Sequence, residues 1–163
     1  MIDRKHRDKL AETLRHYVSG QITNDELEDV TTDSRDRGII AVQEAAWCLY
    51  SDLYPHKAKG RHYLNKEVRS TIARWIAFLY SEQEYTWPEY AFDQIDIWGV
   101  NIITFGWWKK KKQEEWERFQ AAGDIDIWPF RIKEEFQNAL HNPKLLANTR
   151  AFETQNESIP NGT

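Results

Sequence analysis

Hydrophobic residues recur at steps of three and four along the first half of the chain, with charged residues between them. The first such stripe consists of Leu10, Leu14, Tyr17 and Val18. This spacing places the apolar side chains on one face of an amphipathic helix. Gly20 can end that helix, because glycine readily adopts the left-handed conformation found after a helix C-cap. The pattern therefore predicts an N-terminal helix with one buried face.

Two further stripes have the same spacing. The second begins after Asp36, ends at Pro55, and consists of Ile39, Val42, Ala46, Leu49 and Leu53. The third follows Asn65 as the N-cap and consists of Val68, Ile72, Trp75, Ile76 and Leu79. Proline does not continue a helix, so Pro55 is expected to stop the second one. We expect these two helices to pack against each other as the central pair.

Shorter helices are predicted elsewhere in the chain. Thr23 and Glu26 have the spacing of a capping box, in which each residue bonds the backbone of the other at a helix start. The stretch KKKKQEEWERFQAAG predicts a helix that ends near Gly123, and RIKEEFQNAL predicts a last short helix.

The four residues IDIW occur at 95–98 and again at 125–128. Apolar and polar residues alternate in both copies, which predicts two short strands with the isoleucines on one face. The flanking residues differ, so we do not interpret the copies as a duplicated unit. Two unrelated loops are the alternative. Together the patterns predict a mainly α, single-domain fold over residues 1–147 with at most a small two-stranded β element. A polar tail at 148–163 is expected to be frayed.

Composition and charge exclude several classes of protein. The chain has 163 residues and a net charge of −4, which does not favour binding to nucleic acid. Cys48 is the one cysteine, so neither an internal disulfide nor a cysteine-based zinc site is possible. The charged start, MIDRKHRDKLAE, lacks the apolar run of a signal peptide, and a cytoplasmic location is therefore expected.

Carboxylates around the second IDIW form one candidate site. Asp124, Asp126 and Glu134 could hold Mg²⁺ or Mn²⁺, since these hard cations prefer oxygen ligands. Such an ion could activate water for phosphoester chemistry. The structural alternative, which we prefer, is that aspartates beside a helix-ending glycine act as caps or turn formers. No cofactor is predicted.

A basic block precedes the third stripe. Lys57, Lys59, Arg61 and His62 could bind an anion, because several positive charges lie close together on a loop. The alternative is that they remain solvated or attract the acidic run at 82–96.

The segment 97–112 combines tryptophans with lysines. Its uncharged part ends at Trp107 and Trp108, and Lys109, Lys110, Lys111 and Lys112 follow directly. Twelve residues are too few for a membrane span, which needs about 20. Insertion at an anionic membrane surface, burial in the core, and contact with a partner protein all remain open.

The segments LYSDLYP, EYTWP and GDIDIWPF, in this order, resemble those of small bacterial proteins to which no function is assigned. The resemblance covers residues 36–140 and implies a bacterial or phage source. It implies no catalytic role for any residue.

The leading functional hypothesis is a non-enzymatic interaction protein whose partner is another protein. Its candidate anchors are Trp98, Trp107, Trp108 and Trp128, because tryptophan is enriched at binding hot spots. Association with a membrane surface through 97–112 is the second hypothesis, and a metal-dependent phosphoester enzyme is the third.

Overall fold

The computed structural model describes residues 1–30, 34–50, 53–90 and 106–141, and within the last range it describes side chains from residue 113 onward. Six α-helices occur in these ranges: α1 (Arg4–Val18), α2 (Asn24–Glu28), α3 (Arg37–Trp47), α4 (Lys66–Tyr80), α5 (Gly106–Gln120) and α6 (Lys133–Leu140). These ranges contain no strand, and their only isolated bridge joins Thr23 to Lys57. The mainly α prediction is confirmed. The polar tail lies outside the described residues.

Local sequence signals account for most helix ends. The Thr23 side chain accepts from the Glu26 N–H and Glu26 accepts from the Thr23 N–H, so the predicted capping box is confirmed. Asn65 accepts from the Val68 N–H at the start of α4. Gly20 has a φ of 69° after α1, where a residue with a Cβ would be strained.

The central pair of helices is α1 and α4, rather than the predicted pair α3 and α4. The buried face of α1 contributes Leu10, Ala11, Leu14 and Tyr17. The predicted stripe of α4 does face the core, with Ile72, Trp75, Ile76 and Leu79 buried. Helix α3 makes smaller contacts with both, and α6 packs on α4. Apolar periodicity identifies a buried face but not the helix that covers it.

Helix α3 ends earlier than the sequence predicts. Its C-cap is Cys48, and the Cys48 and Leu49 N–H groups donate to carbonyls three residues back, which tightens the last turn. Leu49 and Tyr50 stay buried beyond the helix, and the Tyr50 ring lies 5.8 Å from that of Tyr17. Leu53, predicted on the buried stripe, is 86% exposed. The Tyr50 side chain therefore packs on α1 just after the end of α3, ahead of Pro55 in the chain.

The second IDIW is a 3₁₀ turn, so the predicted strand is wrong. The turn spans Ile125–Ile127, and the Asp124 carboxylate accepts from the Asp126 N–H at its start. Ile127 and Trp128 are both buried although they are consecutive, which strand alternation does not allow. The first copy, at 95–98, lies outside the described residues.

A buried ion pair joins α1 to the start of α3. The Arg7 Nε donates to Asp36 Oδ2 at 2.6 Å and its Nη2 to Asp36 Oδ1 at 3.0 Å. Arg7 is 0% exposed and Asp36 is 3% exposed. Asp36 also accepts from the backbone N–H groups of Asp3 and Gly38, so this buried carboxylate has four donors.

The same arginine reaches the segment that follows α4. Its Nη1 donates to the Gln83 carbonyl at 2.8 Å, and its guanidinium lies 4.9 Å from the Phe78 ring centre. Arg4 donates to the carbonyls of Leu79 and Ser81. Cations near a helix C-terminus stabilise its free carbonyls. The first turn of α1 therefore holds the end of α4.

Replacing Arg7 by methionine keeps much of the side-chain volume and removes the guanidinium. Because the Asp36 carboxylate would then be buried without a counter-charge, we expect the free energy of unfolding to fall by about 3–5 kcal/mol. Urea denaturation measures this change. Arg15→Met is the control, since Arg15 pairs with Glu12 at the surface and its loss should cost less than about 1 kcal/mol. Equal losses in the two variants would contradict a special role for Arg7.

Acid should weaken the wild type through the same carboxylate. Burial opposes ionisation of Asp36, but the hydrogen bonds from Arg7 and the backbone, with the Arg7 charge, hold its pKa below the usual value. This contribution to stability is present above the unfolded pKa near 4 and is lost as the pH falls through the folded pKa. We therefore expect the stability gap between wild type and Arg7→Met to narrow in acid. A constant gap in denaturant titrations at decreasing pH would refute this.

Candidate functional site

An extended segment after α4 lies beside α3 and carries Tyr85, Trp87 and Tyr90. This segment is called the aromatic wall. Trp87 is completely buried, and its indole N–H donates to the Pro129 carbonyl at 2.9 Å. Its ring lies 4.8 Å from that of Phe119 on α5. The Tyr85 hydroxyl accepts from the Trp128 indole N–H at 3.2 Å. These contacts fix the segment between α3, α5 and the 3₁₀ turn.

A cleft of about 480 Å³ opens between this wall, the outer face of α3 and one residue of α5. Ile40 and Ala41 of α3 form one side, and Tyr85, Pro88 and Tyr90 form the other. The Tyr90 ring packs 5.1 Å from Phe119, which sets its position. The volume is in the range of small-molecule and side-chain binding sites. This cleft is called the α3 cleft. Its lining is completed by four charged residues: Arg37, Glu44, Glu89 and Glu115.

Three carboxylates line the α3 cleft: Glu44 on α3, Glu89 on the wall and Glu115 on α5. Burial, together with repulsion from Glu89, raises the pKa of Glu44 above its ordinary value. In the described part of the chain, no ion pair joins Glu44 or Glu89 to a basic residue. The cleft is therefore electronegative, and a cation would relieve the repulsion between its carboxylates.

Arg37 is the one basic residue in the lining of the α3 cleft. Its Nη2 donates to the Trp87 carbonyl at 2.8 Å, and its guanidinium lies 5.8 Å from the Tyr85 ring centre. Burial raises the pKa of Tyr85 to about 12, so this phenol stays neutral near pH 7. Arg37 thus anchors the wall to α3. With one arginine and three glutamates in its lining, the cleft has an excess of negative charge.

The sequence analysis suggested Trp128 as a binding anchor, but the structure buries this side chain. It is 5% exposed, its ring meets that of Trp75 edge-on at 5.7 Å, and its indole N–H is bonded to Tyr85. A tryptophan of this kind contributes to the core.

The structure describes all three candidate metal ligands, Asp124, Asp126 and Glu134. Within the described residues no group of three or more histidine, cysteine or acidic side chains is arranged to hold a metal ion. Asp124 caps the 3₁₀ turn, as the structural alternative predicted. Burial lowers the pKa of Arg74, and the charges of Asp126 and Asp124 oppose that shift. The two aspartates therefore act electrostatically on Arg74, whose Nε donates to the Trp128 carbonyl.

The predicted anion-binding residues divide into two pairs. Lys57 donates its amine to the Gln21 carbonyl at 2.7 Å, and the Lys59 side chain lies against Gly20. Both lysine side chains therefore contact the residues that follow α1. Arg61 and His62 lie together on the outer side of the loop, where Arg61 Nε donates to His62 Nε2 at 3.0 Å.

The remaining predicted anchors cannot be placed. Trp98 lies outside the described residues, and the side chains of Trp107, Trp108 and Lys109, Lys110, Lys111 and Lys112 lie outside the described part of α5. No helix among the described residues is both long and apolar enough to cross a membrane. Contact with a membrane surface stays a prediction.

Comparisons with known proteins gave no match. No family model, curated protein or solved structure is similar to this chain.

The residues of the α3 cleft were missed at the sequence level. Glu44 carries no signal in the sequence, because a charged residue is ordinary on the polar face of an amphipathic helix, and Glu89 belongs to the acidic run at 82–96. Only the contact between the wall and α3 brings the two carboxylates together. The acidic run at 82–96 was a partial signal, since it contains Glu89 and has no basic residue.

Truncation of Trp128 to alanine tests its place in the core. We expect a loss of about 3–5 kcal/mol in the free energy of unfolding, as is typical when a buried tryptophan is removed. Tyr63→Ala is the comparison, because Tyr63 is 62% exposed and should cost less than about 1 kcal/mol. Thermal and urea unfolding of both variants measure the difference. A Trp128→Ala protein as stable as wild type would contradict the core role of Trp128 and would again favour its role as a binding anchor.

Proposed function

We propose that this protein is a non-enzymatic binding domain that holds a basic segment of a partner protein in the α3 cleft. The observation that carries the proposal is geometric: the carboxylates of Glu44 and Glu89 line one cleft, and no cation of the described chain forms an ion pair with either. The raised pKa of Glu44, caused by desolvation and by repulsion from Glu89, agrees with this arrangement. An arginine or lysine from a partner would supply the missing charge.

The apolar part of the cleft suits the stem of such a side chain. Arginine and lysine place their aliphatic carbons along apolar surface while the charged end meets carboxylates. Ile40, 43% exposed, and Pro88 offer that surface at the mouth, and the Tyr85 and Tyr90 rings lie further in. Aromatic faces also attract cations.

The surface beside the cleft favours a peptide over a free small cation. Trp47 lies seven residues after Ile40, so the two side chains lie on the same face of α3 two turns apart, and Trp47 is 54% exposed. Glu44 lies between them on the same face. A partner segment with one basic residue and apolar neighbours could contact the cleft and this face of α3 together.

The experiment uses a labelled Ala-Arg-Leu-Arg-Ala amide as the probe and the same peptide with glutamate in place of arginine. We expect the basic peptide to shift the NMR signals of Ile40, Ala41 and Tyr85, and the acidic peptide to leave them unchanged. The double variant Glu44→Gln/Glu89→Gln should weaken binding about 10-fold or more, since two charge-assisted contacts are lost.

Glu114→Gln is the matched control. Glu114 is exposed on α5 next to Glu115 but does not line the cleft. It should leave peptide binding within about 2-fold of wild type, as expected for a screened surface charge. Equal weakening by Glu114→Gln would indicate general attraction to an acidic protein. Unchanged binding by the double variant would overturn the proposal.

A further inference from the structure

The loop between α3 and α4 carries a second charged feature, of opposite sign to the α3 cleft. The loop is clamped to α2 by two hydrogen bonds: the His56 N–H donates to the Asn24 side-chain oxygen at 2.6 Å, and the Asn24 N–H donates to the His56 carbonyl at 3.0 Å. Asn24 is completely buried. The bridge between Thr23 and Lys57 continues this clamp. His56 therefore has a fixed backbone position.

Four side chains meet on the outer side of the loop: Tyr54, His56, Arg61 and His62. The two imidazole rings lie 4.1 Å apart, and the Tyr54 ring is 5.6 Å from each. The Arg61 guanidinium lies 5.5 Å from the Tyr54 ring centre. A short 3₁₀ turn at Gly60–His62 places Arg61 and His62 beside the first two residues. This group is called the histidine cluster.

The hydrogen bonds of the histidine cluster define which ring nitrogens are protonated. His56 Nδ1 lies 3.0 Å from the Tyr54 carbonyl, which only accepts, so Nδ1 carries a proton. His62 Nε2 receives the Arg61 Nε–H, so this nitrogen is unprotonated and His62 is neutral. The Tyr54 hydroxyl lies 3.2 Å from the same nitrogen.

No negative charge of the described chain balances this group. Among the described residues, no carboxylate forms an ion pair with His56, Arg61 or His62. Lys57 and Glu26 are charged residues of the clamped region, and Glu26 accepts from both the backbone N–H and the hydroxyl of Thr23. The Lys57 amine is bonded to Gln21. The cluster thus combines the permanent cation of Arg61 with two imidazole rings, and no described carboxylate pairs with any of the three.

We propose that the histidine cluster is a binding site for a dianionic oxyanion of the phosphate class, held by Arg61, His62 and Tyr54. In the unliganded state the Arg61 Nε–H is directed to a neutral imidazole, which is a weaker acceptor than an anion. An arriving oxyanion takes the Arg61 hydrogen bond. His62 Nε2 then takes up a proton from solvent, keeps it, and donates a hydrogen bond to the anion, and the Tyr54 hydroxyl can donate to the same ligand.

Binding and protonation are therefore coupled. Partial removal from water, with the neighbouring His56 and Arg61, holds the pKa of His62 below its usual range in the unliganded protein. A bound dianion stabilises the protonated form and raises that pKa. Because the ligand favours protonated His62, its affinity should rise as the pH falls from about 8 to about 6, by up to about tenfold per pH unit.

Sulfate is the first probe, because it remains a dianion across this range and only the protein titrates. The imidazole NMR signals of His56 and His62 are followed against pH in sodium sulfate and in sodium chloride at equal ionic strength, which cancels general screening. We expect sulfate to raise the pKa of His62 and to bind more tightly at the acidic end.

Two matched arginine variants locate the effect. Arg61 and Arg69 each lie 5.5 Å over a tyrosine ring, but no histidine joins the pair of Arg69 and Tyr63 among the described contacts. Arg61→Gln should abolish the sulfate-induced rise, and Arg69→Gln should retain it. Both residues are at the surface, so the variants are expected to fold, which their amide NMR spectra check. An unchanged response in Arg61→Gln, or equal loss in Arg69→Gln, would overturn the site.

Two further probes distinguish a soluble phosphate ligand from a lipid headgroup. They are inorganic phosphate and vesicles of phosphatidylcholine with phosphatidic acid. A response to free phosphate without sedimentation on the vesicles assigns a soluble ligand. Sedimentation that requires Arg61 assigns a lipid headgroup. Either result supports the site, and a protein that responds to sulfate, phosphate and vesicles no more than to chloride refutes it.

Discussion

The buried pair of Arg7 and Asp36 is the interaction on which the arrangement of helices depends. An isolated charge in this environment would be strongly destabilising, so the two residues require each other. Each also has a second task. Asp36 begins α3 by accepting from the Gly38 N–H, and Arg7 bonds the chain that leaves α4. Gly38 has no Cβ where one would lie 2.8 Å from Phe78 and 2.9 Å from Arg7, which allows this close approach. One ion pair thereby connects the ends of three helices.

The α3 cleft is a consequence of that connection. Arg37, the residue after Asp36, reaches from the first turn of α3 to the Trp87 carbonyl and the Tyr85 ring. The aromatic wall is held from its other side by Pro129 and Trp128. Trp87 and Trp128 are therefore structural: they fix the wall, and the wall brings Glu89 towards Glu44. Of the tryptophans predicted as binding anchors, Trp128 instead contributes to the support of a carboxylate-lined cleft.

The two surfaces proposed as binding sites have opposite charge, although the chain as a whole has a net charge of −4. Glu44, Glu89 and Glu115 surround one, and Arg61 with two histidines forms the other. Net charge describes solubility and long-range attraction, whereas a ligand responds to groups within a few ångströms. An overall acidic composition is therefore compatible with an oxyanion site on one loop.

The sequence by itself determined the mainly α class, the caps at Thr23 and Asn65, and the buried faces of α1 and α4, because these depend on periodicity and on hydrogen bonds between residues three positions apart. It did not determine that α1, rather than α3, is the main partner of α4, nor that IDIW at 125–128 is a 3₁₀ turn with Trp128 inside. Those outcomes depend on distant contacts, such as Arg7 with Asp36 and Trp128 with Tyr85. The candidate sites follow the same division. His62 and Arg61 were visible as a basic block, but the grouping of Glu44 with Glu89 required the tertiary structure, since packing alone brings residues 45 positions apart to one cleft.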